Sequence, residues 1–233
     1  MTSTSRVLVL AAHADDELLG PGATLIGHAR RGDQVHVAIG VGKTNPAMYS
    51  KARYGQKVLD GLRKRAEGVS KKLGFKAVHW LGLKDETLEQ DLNSTITAIE
   101  KVVAEVRPDI VYMHHGGDVN QDHRGVFKAG LVALRGYQRP RVSRVLCFET
   151  ASTTEQAPAA PGWQFSPNYH VDASRTLAQK LEALKAYDDE MRPFPHPRSY
   201  EGLRDLARVR GAAVGFEAAE SFELIRECVE STA

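Results

Sequence analysis

The sequence predicts an α/β fold: a Rossmann-like, doubly wound, mostly parallel sheet with helices on both faces. Three kinds of observation predict it. Short apolar runs such as Val7-Leu8-Val9-Leu10-Ala11-Ala12 read as strands buried on both faces. Stretches with apolar residues at helical spacing lie between such runs, as with Leu92, Ile96, Ile99, Val102, Val103 and Val106. The two kinds alternate along the chain, which is the pattern of βαβ units joined into a parallel sheet.

In order, Val7–Ala12 is the first strand. A Gly20-Pro21-Gly22 turn follows, then a helix from Ala23 to Arg30 and a second strand over Val35–Ile39. Gln56–Leu73 reads as a basic helix and Ala77–Leu81 as the third strand. The helix ending near Val106 is stopped by Pro108, which has no N–H to continue it. Asp109–Met113 is the next strand, Asp122–Leu134 the next helix and Val142–Glu149 another strand. Residues 151–161 are rich in Thr, Ala and Pro and read as a loop, and Asn168–Asp172 as an edge strand. Ser174 is the expected N-cap of a helix carrying Leu177, Leu181 and Leu184. Pro193, Pro195 and Pro197 forbid regular helix, and a last helix starts at Ser199.

The bulk properties narrow the function classes. A chain of 233 residues with 42% hydrophobic and 26% charged residues can bury a core large enough for a rigid site. The net charge of +2 gives no electrostatic footprint for nucleic acid, basic residues interleave with acidic ones as in Lys180-Leu181-Glu182, and the basic cluster Arg63-Lys64-Arg65 sits on an expected helix. Cys147 and Cys228 lack any motif spacing, so neither a disulfide framework nor a thiolate zinc site is expected, and Cys147 reads as a buried free thiol. Val7–Ala12 is too short for a membrane span or a signal peptide, which makes a cytoplasmic location the default expectation. No Gly-x-Gly-x-x-Gly follows the first strand, which counts against a dinucleotide enzyme.

Two segments carry chemistry. His13-Ala14-Asp15-Asp16-Glu17 follows the first strand, at the end where open α/β sheets bind ligands. Consecutive acids there are costly unless a positive group such as a divalent ion satisfies them. The second segment, His114 to Arg124, follows another apolar strand and carries His114, His115, Asp118, Asp122 and His123. Either segment alone is as compatible with core histidines and helix-capping acids as with a metal. Two of them at two strand ends favour a metal with N and O ligands and an open water position. His28, His36, His79 and His170 fall on regular elements and read as structural.

His13-Ala14-Asp15-Asp16-Glu17 resembles the His-Pro-Asp-Asp-Glu signature of the LmbE-like, or PIG-L, family of zinc N-deacetylases. Asp118 to Arg124 resembles that family's second signature, and Pro195-His196-Pro197-Arg198-Ser199 with Arg210-Gly211 is similar to its bacterial members. Ala14 stands where the family usually has Pro. The resemblance implies Zn2+ on His13, Asp16 and His123, with Asp15 as general base; His and carboxylate ligands also suit other divalent metals such as iron or cobalt. It implies one domain over residues 1–233, with residues 163–233 completing the substrate pocket. The implied reaction removes an N-acetyl group from a small amino-sugar, whether a glycan precursor, nucleotide sugar or antibiotic sugar. Hydrolysis of another amide, such as a sugar–thiol conjugate, and a non-catalytic sugar- or nucleotide-binding module are the alternatives; the intact Asp15 counts against the last. Some members place a histidine where this chain has Asn120, so the acid that protonates the leaving amine is open. His196, in a stiff proline-rich loop, is the candidate, and Asp122 is expected to orient a neighbouring group such as a histidine, to cap the following helix, or both. Arg53, Asn120 and Asp118 are the expected substrate contacts. Association of copies of this chain is left open.

Overall fold

The computed structural model describes residues 4–43, 55–138 and 141–229. Its strands are β1 (Arg6–Ala11), β2 (Gln34–Lys43), β3 (Ala77–Lys84), β4 (Ile110–His114), β5 (Arg144–Phe148), β6 (Tyr169–Asp172) and β7 (Ala219–Glu227). The helices are α1 (Asp16–Leu19), α2 (Gly22–Arg30), α3 (Gln56–Lys72), α4 (Leu92–Val106), α5 (Gln121–Ala133), α6 (Leu177–Leu184) and α7 (Tyr200–Ala212). Short 3-10 turns occur at Thr154–Gln156 and Lys185–Tyr187.

One sheet runs β3-β2-β1-β4-β5-β7-β6. β1 to β5 are parallel, while β7 runs antiparallel between β5 and β6. The α/β, mostly parallel expectation therefore holds, with an antiparallel addition at one side. α4 and α5 pack together on one face, and α2, α6 and α7 form a connected layer on the other. β1 is wholly buried from Val7 to Ala11, as a central parallel strand covered on both faces should be. From β1 the chain steps one way to β2, and only after β3 does it return to β4 on the other side. The carboxyl ends of β1 and β4 therefore flank the switch in winding direction, where such sheets leave a crevice. Both motif segments start at these two ends.

Three details differ from the sequence expectation. An extra short helix, α1, begins within the first motif at Asp16 and ends just before the Gly-Pro-Gly turn. The hydroxyl of Ser174 donates to Asp172 rather than capping α6, whose N-cap position is Thr176. The sequence reading assigns no strand after the last helix, yet β7 lies there. Its buried stretch Ala219-Glu220-Ser221-Phe222 carries an acid and a hydroxyl, which hides a strand from hydropathy. The Glu220 carboxylate accepts from the N–H groups of Ala23 and Thr24 at the start of α2. The Lys180 ammonium donates to Glu220 at 2.6 Å and to the carbonyls of Leu19 and Gly20. Every charged group in this buried cluster is paired and hydrogen-bonded, the condition under which burial is tolerated. The cluster ties α6 and β7 to the chain just behind the first motif.

Candidate metal centre

β1 delivers His13, Asp15 and Asp16 to the crevice, and the loop and helix after β4 deliver Asp118, Asn120, Asp122 and His123. The imidazoles of His13 and His123 lie 5.5 Å apart between centroids. Asp16 Oδ2 lies 3.3 Å from His13 Nδ1 and 3.4 Å from His123 Nε2. One ligand atom from each of His13, Asp16 and His123 falls within 4.8 Å of the others. Asp16 Oδ1 and His123 Nε2 are both buried and have no hydrogen-bond partner. Buried polar atoms are nearly always partnered. Two orphans from different strand ends, on residues whose ligand atoms lie within 4.8 Å of one another, fit a divalent cation. The same distance criterion also groups His13 with Asp85 and Asp122, but the Asp122 oxygens already accept from the N–H groups of Glu86 and Leu88.

The remaining ring nitrogens meet carboxylates. His13 Nε2 lies 3.3 Å from Asp122 Oδ2, and His123 Nδ1 lies 3.2 Å from Asp118 Oδ2. A carboxylate on the far nitrogen fixes ring orientation and tautomer and raises ligand basicity. Burial alone would lower the His123 pKa, but the Asp16 and Asp118 carboxylates overcome it and push it up to about 9 in the protein without an ion. Burial would raise Asp118, yet the bond to His123 and its charge hold it down at about 2.

The segment's histidines have separate jobs. His114 stacks on His123 with centroids 3.9 Å apart. Its Nε2 accepts from the Ala12 N–H at 3.0 Å, so the neutral ring carries its proton on Nδ1, facing Thr150 Oγ. Burial and then the neighbouring His123 charge lower it to about 4, which keeps it neutral. His114 thus welds the ends of β1 and β4 together beside Asp16 and His123, a role the sequence reading did not assign. His115 instead pairs with Glu223 on β7 and with the Trp163 carbonyl. Gly117 lets that loop approach, since a Cβ there would sit 2.2 Å from the Trp163 carbonyl oxygen.

Asp15 faces a cavity of about 460 Å³ lined also by His13, Asp85, Glu86, Asn120, Asp122, Arg124, Glu190 and Arg198. It adopts φ 133°, a conformation that side-chain-bearing residues rarely take. Arg198 Nη1 donates to Asp15 Oδ2 at 3.3 Å, and the Arg198 Nε donates to Ser152 Oγ at 2.7 Å. Burial raises the Asp15 pKa, the Asp16 charge adds to that, and Arg198 opposes both.

The other expected site residues separate. Asn120 lines the cavity, and its side-chain oxygen caps α5 by accepting from the Asp122 and His123 N–H groups. Asp122 therefore lies within the first turn, not at the cap. Asp118, expected at the substrate, is wholly buried and accepts from Thr153, Thr154 and the Asn120 N–H behind His123. His196 is exposed and is not among the described residues lining the cavity; its Nδ1 accepts from the Arg198 N–H. Arg53 lies outside the described residues. The sequence assigns no role to Glu190 or Arg198: Arg198 enters only as part of the family-like tail, and nothing local in Pro197-Arg198-Ser199 signals that its side chain reaches a strand end 183 residues away. Among the described residues no helix is long and apolar enough to cross a membrane.

Comparison with known proteins places this arrangement. The chain is 32% identical over 155 residues to the uncharacterized deacetylase YaiS of Escherichia coli K12, covering 63% of this chain and 75% of that one. In structure it is similar to the N,N'-diacetylchitobiose deacetylase of Pyrococcus horikoshii, with a TM-score of 0.76 at 20% identity over 96% of this chain and 84% of that one. It is also similar to GalB, the 4-carboxy-2-hydroxymuconate hydratase of Pseudomonas putida KT2440, with a TM-score of 0.73 at 20% identity over 99% of this chain and all of that one (100%). At such identities these two likenesses establish the fold. The family model PIG-L, described as GlcNAc-PI de-N-acetylase, matches residues 8–134, a span that takes in both motif loops, and the chain belongs to that family.

Proposed function

We propose that this protein is a zinc-dependent hydrolase that removes the N-acetyl group from a small amino-sugar and releases acetate. The observation that carries it is that His13, Asp16 and His123 bring ligand atoms within 4.8 Å of one another, that Asp16 and His123 each keep a buried orphaned atom, and that the Asp15 carboxylate, held by Arg198, lies beside them in an open cavity. His13, Asp16 and His123 would hold the ion. When bound there, a divalent ion lowers the pKa of water and polarises a carbonyl oxygen.

The chain's own residues supply the proton handling. Asp15, next to a ligand but turned to the cavity, accepts the proton of the attacking water. Among the described lining residues His13 is the only histidine, so Asp15 also returns that proton to the leaving amine. Arg198 holds the Asp15 carboxylate from the cavity side. Glu190 and Arg198 support the expectation that residues 163–233 complete the pocket of a single domain. The test is acetate release from N-acetylated monosaccharides, chitobiose and nucleotide sugars, with and without a chelator. No acetate from any of them by the zinc-loaded protein would sink the proposal. The likeness to a hydratase makes water addition to an unsaturated acid the reaction to assay next.

A further inference from the structure

Asp15 and Asp16 are sequence neighbours with different tasks. Asp16 turns inward to His13, His114 and His123, while Asp15 turns outward to the cavity and Arg198. This split depends on the backbone at Asp15, whose φ of 133° is unfavourable for any residue with a Cβ. Such a conformation persists only when surrounding contacts over-determine it. The contact that does so is unusual. The carboxylate of Glu17, itself buried, accepts the Asp15 backbone N–H at 2.9 Å through Oε2. Its other oxygen, Oε1, accepts the Tyr187 hydroxyl at 2.9 Å. Tyr187 is also fully buried and comes from the turn after α6, 170 residues away.

Core filling does not account for this pair. An apolar residue at position 17 and Phe at 187 would fill the same space without a buried carboxylate to satisfy. What the polar pair adds is a fixed direction. Tyr187 holds Glu17, and Glu17 holds the Asp15 peptide so that its side chain faces the cavity. We infer that Tyr187 is a positioning residue for Asp15, acting through Glu17. This rests on reading Asp15 as the group that takes the water's proton.

The test is a double-mutant cycle on the zinc-loaded protein, using the N-acetyl sugar that gives the highest acetate release. Tyr187→Phe deletes one hydroxyl and keeps the ring. It is expected to retain full zinc stoichiometry and a KM within about twofold of the wild type, while kcat falls about tenfold or more. In an Asp15→Asn background the same substitution is expected to cause no further loss, because the group it positions is gone. A wild-type kcat in Tyr187→Phe overturns the inference. So does a loss of equal size with and without Asp15, which marks a purely structural role. If Tyr187→Phe does not fold, Glu17→Gln enters the same cycle; it keeps the side-chain volume and removes one acceptor. A wild-type kcat in Asp15→Asn alone is a different failure: it removes the reading of the base, and the inference with it.

Discussion

Asp118→Asn separates a ligand's support from the ligand itself. The Asp118 carboxylate is fully buried and accepts from Thr153 Oγ at 2.8 Å, Thr154 Oγ at 2.7 Å and the Asn120 N–H at 2.8 Å. It also lies 3.2 Å from His123 Nδ1. The amide retains one oxygen for the Asn120 N–H, and the two threonine hydroxyls can rotate and accept from the new NH2. His123 cannot adapt so easily. Either its Nδ1–H is left without an acceptor, which costs about 1–3 kcal/mol in a buried site, or the proton moves to Nε2 and blocks the nitrogen meant for the ion. Both outcomes weaken metal binding by the amount typical of losing a carboxylate behind a ligating histidine, about 10–100-fold, or about 1.4–2.8 kcal/mol. Competition against a chromophoric chelator measures the zinc Kd directly. Turnover at saturating zinc should recover most of the wild-type rate, because Asp118 touches nothing in the cavity. A zinc Kd within about twofold of the wild type would refute the claim that Asp118 sets the tautomer of His123.

Four further outcomes are expected. Asp15→Asn should keep one zinc per chain by mass spectrometry yet lose about 10²–10⁴-fold in kcat, and loss of the metal with the rate would contradict the division between Asp15 and Asp16. His123→Ala should lose the metal itself, and full zinc stoichiometry in that variant would remove it from the ligand set. Lys180→Met leaves the Glu220 carboxylate buried without its cation; thermal unfolding should show a loss of about 3–5 kcal/mol, or about 6–20 °C in Tm, and an unchanged Tm would show that the pair contributes nothing. Gly125→Ala pushes a Cβ to 2.5 Å from the backbone of Leu88 and Glu89; it should destabilise by about 1–3 kcal/mol, and wild-type stability would mean that α5 can shift freely against that loop.

The sequence by itself determined the alternating α/β architecture, since period and apolar runs are local properties of the chain. It also determined that His13 to Glu17 and the segment from His114 to His123 sit at strand ends, because each begins where an apolar run stops. Even the short departures have local causes: Asn120 outcompetes Asp122 for the cap because its oxygen reaches two N–H groups at the start of α5. Only the tertiary structure decided which of His114, His115 and His123 keeps an unpartnered ring nitrogen beside Asp16, because that depends on strand order. β4 lies beside β1, so the Ala12 N–H occupies His114 Nε2, while His123 Nε2, also close to Asp16, keeps no hydrogen-bond partner. It likewise decided that Asp118 is buried against His123 rather than lining the cavity, that Arg198 reaches Asp15, and that β7 inserts between β5 and β6. Each of these joins residues far apart along the chain, and neither hydropathy period nor capping chemistry reaches beyond a few neighbours.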